Sequence, residues 1–157
     1  MSADDPIHST IDRWHAVLRG GLEGLEDLLH EDCTFLSPIV FTPQRGRDIT
    51  MLYLRAAGNT LTVPPGADGD QGSGDGAGDE GRDDNPFRYV KEVLDGHHAV
   101  LEFETVVDGI SVNGVDIITC DDDGRIVEFK VMIRPLQAVN KVHAQMKAML
   151  ERMQSTG

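Results

Sequence analysis

Residues 114–135, GVDIITCDDDGRIVEFKVMIRP, carry the pattern on which the fold of this chain turns. Two runs rich in β-branched residues flank the turn signal DDDG, and the second alternates Val127, Phe129, Val131 and Ile133 with Glu128 and Lys130. Period-two alternation across a turn spells an antiparallel hairpin with one apolar face. Asp116 is out of place in it, set among Val115, Ile117 and Ile118. A carboxylate in a buried strand is costly unless it is paired, hydrogen-bonded or kept protonated. Either Asp116 sits at an edge facing solvent, or it is a polar group aimed into a cavity.

Working outward, FRYVKEVL (87–94), HAVLEFETVV (98–107), VNGVDIITC (112–120) and RIVEFKVMI (125–133) read as four strands joined by DGHH, DGIS and DDDG. Ala99, Leu101, Phe103 and Thr105 alternate with Glu102 and Glu104, so one face of the sheet is apolar. Upstream, Asp5-Pro6 forms an N-cap and first helical position, and Ile7, Ile11, Trp14 and Leu18 recur at helical spacing, which predicts a helix over 6–19. Gly20-Gly21 breaks it, and Leu22, Leu25, Leu28 and Leu29 predict a second short helix ending near His30. CTFLSPIVF (33–41) is a short strand interrupted at Pro38, and Arg47 to Ala57 is a third helix with Gly58 as its stop. Val139, Val142, Met146, Met149 and Met153 place a last helix from about 136 to 153. Helices followed by a meander of strands predict an α+β fold with helices on one face of a curved sheet.

The chain has 157 residues, enough for one domain, and a formal net charge of −13. That charge argues against nucleic acid and anionic membranes as partners, since phosphates are repelled. Between Gly66 and Asp84, seven acidic residues face only Arg82, within a Gly/Asp-rich run from Thr62 to Pro86. This run has almost nothing to bury and is expected to be a disordered insertion in a single domain over 1–157. It holds neither a D-x-D-x-D-G calcium loop nor a nonapeptide repeat. No stretch approaches the roughly 20 apolar residues of a membrane span, and MSADDPIHSTIDRW lacks the basic start of a signal peptide. Cys33 and Cys120 form no C-x-x-C pattern and are expected to be reduced, buried thiols of a cytoplasmic protein. No two histidines share metal-ligand spacing on one element, so neither a metal nor another cofactor is expected.

Three patterns in this order, IDRWHAVLRGGLEGLEDLL, HEDCTFLSPIVFTPQRGRDI and GVDIITCDDDGRIVEFKVMIRP, resemble the SnoaL-like branch of the nuclear-transport-factor-2-like superfamily. The resemblance implies a cone-shaped α+β domain, its curved antiparallel sheet wrapped around N-terminal helices, with an internal pocket and a C-terminal helix. It also implies a homodimer paired through the outer sheet face, where Val115 and Met132 point. Members include isomerases, cyclases, dehydratases, epoxide hydrolases and domains that only bind, so fold alone does not assign function.

Matched to ketosteroid isomerase, the strand acid that donates a hydrogen bond to substrate falls on Asp116, implying that it points inward and is largely protonated. The oxyanion tyrosine falls on Trp14, whose indole N–H donates but cannot share a proton as a phenol does. A supporting tyrosine falls on Tyr53 and another on Leu29. The proton-shuttling aspartate falls on Ser37, which cannot take a carbon-bound proton without a basic partner. This disfavours ketosteroid isomerisation. The Asp-Arg-Asp relay of limonene-type epoxide hydrolysis is likewise missing from EFETVV and EFKVMI.

What the resemblance leaves is a cavity with Asp116 and His15 as candidate catalytic residues and Trp14, Ser37 and Tyr53 as candidate ligand-binding residues. Each has a plain structural role beside it: Trp14 in the core, His15 at the boundary, Ser37 bonding the backbone near Pro38. Two functions stay open. One is a domain that binds a small hydrophobic, oxygen-bearing molecule, with cofactor-independent isomerase, cyclase or hydrolase chemistry. The other is a non-catalytic dimeric module. A second titratable group facing Asp116 separates them, and His15 is the candidate.

Overall fold

The computed structural model describes residues 5–61 and 87–155. The acidic run 62–86, expected to be a disordered insertion, lies outside the described residues. Along the chain come α1 (Pro6–Arg19), α2 (Leu25–Leu28), β1 (Leu29–Leu36), β2 (Gln44–Arg45), α3 (Arg47–Leu61), β3 (Arg88–Asp95), β4 (His98–Val107), β5 (Ile110–Cys120), β6 (Ile126–Arg134) and α4 (Leu136–Ser155). Six strands form one open, curved sheet in the order β2-β1-β6-β5-β4-β3, with the helices packed on its inner face. The expected α+β class holds.

Alternation along β4 and β5 decides which side chains meet the helices. Ala99, Leu101, Phe103, Thr105 and Val107 are buried, and on β5 the buried phase runs Val112, Gly114, Asp116, Ile118, Cys120. Asp108 and Gly109 both have positive φ, which suits the tight right-twisted turn joining these strands. A Cβ on Gly114 would stand 2.5 Å from the Phe103 ring, so only glycine lets that ring lie across the sheet. Phe35, Phe103 and Phe129 anchor the core, each at most 1% exposed and each contributing about 2–3 kcal/mol by burial.

Four local expectations change. The sheet is not antiparallel throughout, because β1 pairs parallel with β6 through Phe35 and Phe129. At the start of β6, Ile126 is fully buried while Val127 is not, because the register shifts opposite Thr119 and Cys120. The second helix is one turn only, since Gly24 is left-handed and Leu29 is already extended. Gly58 does not stop α3, which runs on to Leu61; instead a Cβ there would meet Leu22 Cδ1 at 3.3 Å. Glycine at this point serves a close approach, not a cap.

At its start α1 is tied to the β3–β4 turn, where the Asp5 carboxylate accepts the Gly96 N–H at 2.8 Å instead of capping its own helix. Midway, Thr10 Oγ1 donates to the Gly124 carbonyl at 2.8 Å, fastening the helix to the β5–β6 turn. At its end the Leu22 N–H reaches back to the Val17 carbonyl at 2.8 Å, a Schellman-type closure. Such a closure needs one left-handed residue, which Gly21 supplies, yet Leu22 is left-handed as well, with φ 72°. A side chain in that conformation costs about 1–2 kcal/mol.

Cys33 and Cys120 are both buried free thiols, and burial pushes each above its ordinary pKa. No helix among the described residues is long and apolar enough to cross a membrane.

Candidate functional site

Asp116 faces inward from the middle of β5, opposite Leu101 on β4 and Val131 on β6, and is 6% exposed. Its Oδ2 accepts a hydrogen bond from the Tyr89 hydroxyl at 2.5 Å, and that hydroxyl accepts one from Trp14 Nε1 at 3.0 Å. The three side chains come from β5, β3 and α1, so the chain of hydrogen bonds spans the sheet and the helix laid on it. Phe103 and Phe129 wall it in, with the Phe129 ring 5.0 Å from Trp14 in an edge contact. Leu18, Leu22, Leu54 and Ala57 close it from the helix side. The void between these walls is about 50 Å³.

Desolvation sets the electrostatics. Burial raises the Asp116 carboxyl from 3.8 to about 7, against the opposing pull of the Tyr89 hydrogen bond, which favours the ionised form. Tyr89 is pushed well above 10, first by burial and then by the neighbouring Asp116 charge. Asp116 therefore exchanges a proton near neutrality, whereas Tyr89 remains a donor. Trp14 satisfies the remaining acceptor of the phenol and fixes its direction.

Tyr89 is the residue that the sequence reading missed. It sits opposite Phe103, an inward position, but β3 carries a bulge between Tyr89 and Lys91. Beyond the bulge Glu92 and Leu94 take the inward phase, opposite Leu101 and Ala99. Counting back by twos from Leu94 therefore puts Tyr89 on the wrong face. An aromatic three positions from the end of the Gly/Asp-rich run was the available signal.

The other candidates separate. His15 lies behind Tyr89, its ring 5.6 Å from the Tyr89 ring, and its Nε2 pairs with Glu92 at 2.8 Å on the half-exposed flank. It is not among the side chains that line the void. Ser37 and Tyr53 lie in a second cleft between α3, α4 and the segment after β1, beside His143 and Met146. Ser37 Oγ accepts the Ile39 and Val40 N–H groups at 2.9 and 3.3 Å, and Tyr53 stacks on Phe35 with centroids 5.3 Å apart. Trp14 and Asp116 are thus brought together, and Ser37 and Tyr53 are held apart from them. Among the described residues no cluster of three His, Cys, Asp or Glu side chains could hold a metal ion.

No family model and no curated protein matches the chain. Solved structures do. A steroid delta-isomerase from Pseudomonas aeruginosa is similar over 96% of this chain and 95% of its own, with 27% identity and a TM-score of 0.78. An uncharacterized protein with a cystatin-like fold from Silicibacter pomeroyi is similar over 92% of this chain and 86% of its own, at 28% identity and a TM-score of 0.72. At 12% identity, a protein assigned as a SnoaL-like polyketide cyclase from Jannaschia shares the fold over 90% of this chain and 95% of its own, with a TM-score of 0.59. Taken with the open curved sheet, the helices on its inner face and the inward acid of β5, these likenesses show that the chain belongs to the SnoaL-like/nuclear-transport-factor-2-like superfamily.

Proposed function

We propose that this domain binds a small apolar molecule by its carbonyl or hydroxyl oxygen, which docks against Asp116 and Tyr89. The observation that carries the reading is the buried Tyr89–Asp116 hydrogen bond at the floor of an apolar void. Apolar walls with a few convergent polar groups and a perturbed carboxyl are the usual makings of a ligand site. Protonated, Asp116 donates to a ligand oxygen; ionised, it accepts a proton from the ligand. Acid–base chemistry of the isomerase, cyclase or hydrolase kind needs that exchange. Asp116 and Tyr89 are the only titratable groups among the described lining residues, and Tyr89 holds its proton. One group must then both take and return the proton. Steroid isomerisation, the activity named for the Pseudomonas protein, is not carried over, because Ser37 stands in the other cleft.

The test uses 4-nitroacetophenone, a neutral ketone whose nitroaromatic ring quenches indole emission on contact. Trp14, the one tryptophan of the chain, reports its arrival. Binding should be tighter below pH 7 than above it, and Tyr89→Phe, which removes the hydrogen bond that favours the ionised Asp116, should move that pH dependence upward. In Asp116→Asn the pH dependence should vanish. A wild-type affinity that ignores pH and both substitutions would sink the reading.

A second reading, a dimeric module, is favoured by one observation. Val93, Val100, Val106 and Met132 are 36–52% exposed on the strands of the outer sheet face, an apolar surface that pairing of two copies would cover. We propose this homodimer alongside the ligand site. Met132→Lys should then yield a monomer in sedimentation at micromolar concentration, where the wild type sediments as a dimer.

A further inference from the structure

The void over Asp116 and Tyr89 holds about 50 Å³, room for a water or two and far below the several hundred of a typical small-molecule site. An aromatic ketone does not fit in it as it stands. What narrows it is specific. Leu22 lies over the void with Leu18 and Leu54, and Gly58 of α3 supplies the bare backbone against which it rests. Leu22 is also one of two described non-glycine residues with positive φ, and Gly20, Gly21 and Gly24 surround it.

A Schellman closure alone does not account for this. Gly21 already provides the left-handed residue, and the chain could leave α1 extended from that point. Instead a second left-handed residue turns a leucine side chain down onto the polar cluster. A strained conformation held over a candidate site, between glycines that accept either hand of backbone, is the construction of a gate. Resting on the ligand-site reading above, we propose that Leu22 is the gate of the Asp116 cavity. It swings out about Gly21 and Gly24 to admit the ligand and returns against Gly58 to seal it from water. Gly58 is then a specificity-determining position, because a side chain there would hold the gate ajar.

Two measurements on the full chain test this. Acrylamide quenching of Trp14, which is 4% exposed, reads access to the void without any ligand. Leu22→Gly removes the plug and its strain, and should raise the quenching constant several-fold. Gly58→Ala suits a helix and pushes the Leu22 tip by a few tenths of an ångström, and should move it in the same direction by less. In stopped flow with 4-nitroacetophenone, the wild-type rate should level off at high ligand, limited by gate opening. The Leu22→Gly rate should keep rising linearly. Quenching and kinetics unchanged in both variants would overturn the gate. Raised quenching in both, with no ketone binding to any form, would leave the gate standing and refute the ligand reading.

Discussion

Tyr89 and Tyr53 both lie against phenylalanines of one core, yet their hydroxyls meet different surroundings. Tyr89 is roofed by α1 and the leucines above it, and hydrogen-bonds a carboxyl group and an indole. Tyr53 stacks on Phe35 but opens on a cleft lined by Ser37, His143 and Lys147, where water reaches. Polar residues stand in both places; burial beside a partner raises Tyr89 and Asp116 above their ordinary values. A candidate site is thus marked less by which residues it contains than by how dry they are and whom they face.

The contrast can be strained from either side. Trp14→Ala removes a buried indole from the core and the hydrogen bond that it donates to the Tyr89 hydroxyl. It should cost about 3–5 kcal/mol in chemical denaturation followed by circular dichroism, the largest effect expected. Asp116→Asn comes next and depends on pH. Because the folded carboxyl is raised, from 3.8 to about 7, the unfolded chain ionises first and stability falls as pH climbs between those values. Below about pH 4 the substitution should be nearly neutral. Above pH 7 it should stabilise by up to about 4 kcal/mol, the full difference between the two values. A flat difference across that range would mean that the carboxyl titrates as in water.

Tyr89→Phe should cost about 1–3 kcal/mol where Asp116 is ionised, and less in acid. It should also push the Asp116 carboxyl higher still, since the lost hydrogen bond favoured the charged form; carboxyl NMR titration reads this directly. In the other cleft, His143→Ala should stay within about 0.5 kcal/mol of wild type. A larger change there would erase the distinction between the two regions.

Much of this was legible in the sequence, and the failures have physical causes. Period-two alternation placed β4 and β5 and turned Asp116 inward, because both strands run without a bulge through the site. Trp14 lay on the apolar stripe of α1, so its burial was readable, but its hydrogen bond was not, since the partner sits on β3. The bulge after Tyr89 reverses the alternation, and no propensity announces a bulge in FRYVKEVL. Gly58 read as a stop because glycine often ends helices; that it accommodates Leu22 is a tertiary fact. Ser37 and Tyr53 were grouped with Asp116 by resemblance, and the distance between the clefts is set by how α3 and α4 pack.

The parallel pairing of β1 with β6 has a kinetic consequence. Phe35 finds its neighbour Phe129 only after α3, the 62–86 run and the whole β3–β5 meander have been synthesised and brought round. Local hairpins close in microseconds, whereas this contact must absorb the loop entropy of most of the chain first. The sheet should therefore form from its C-terminal meander, with β1 docking late. Until it docks, the β6 edge lies unpaired beside Phe129, and a nascent chain is most exposed to strand exchange with its neighbours at that moment.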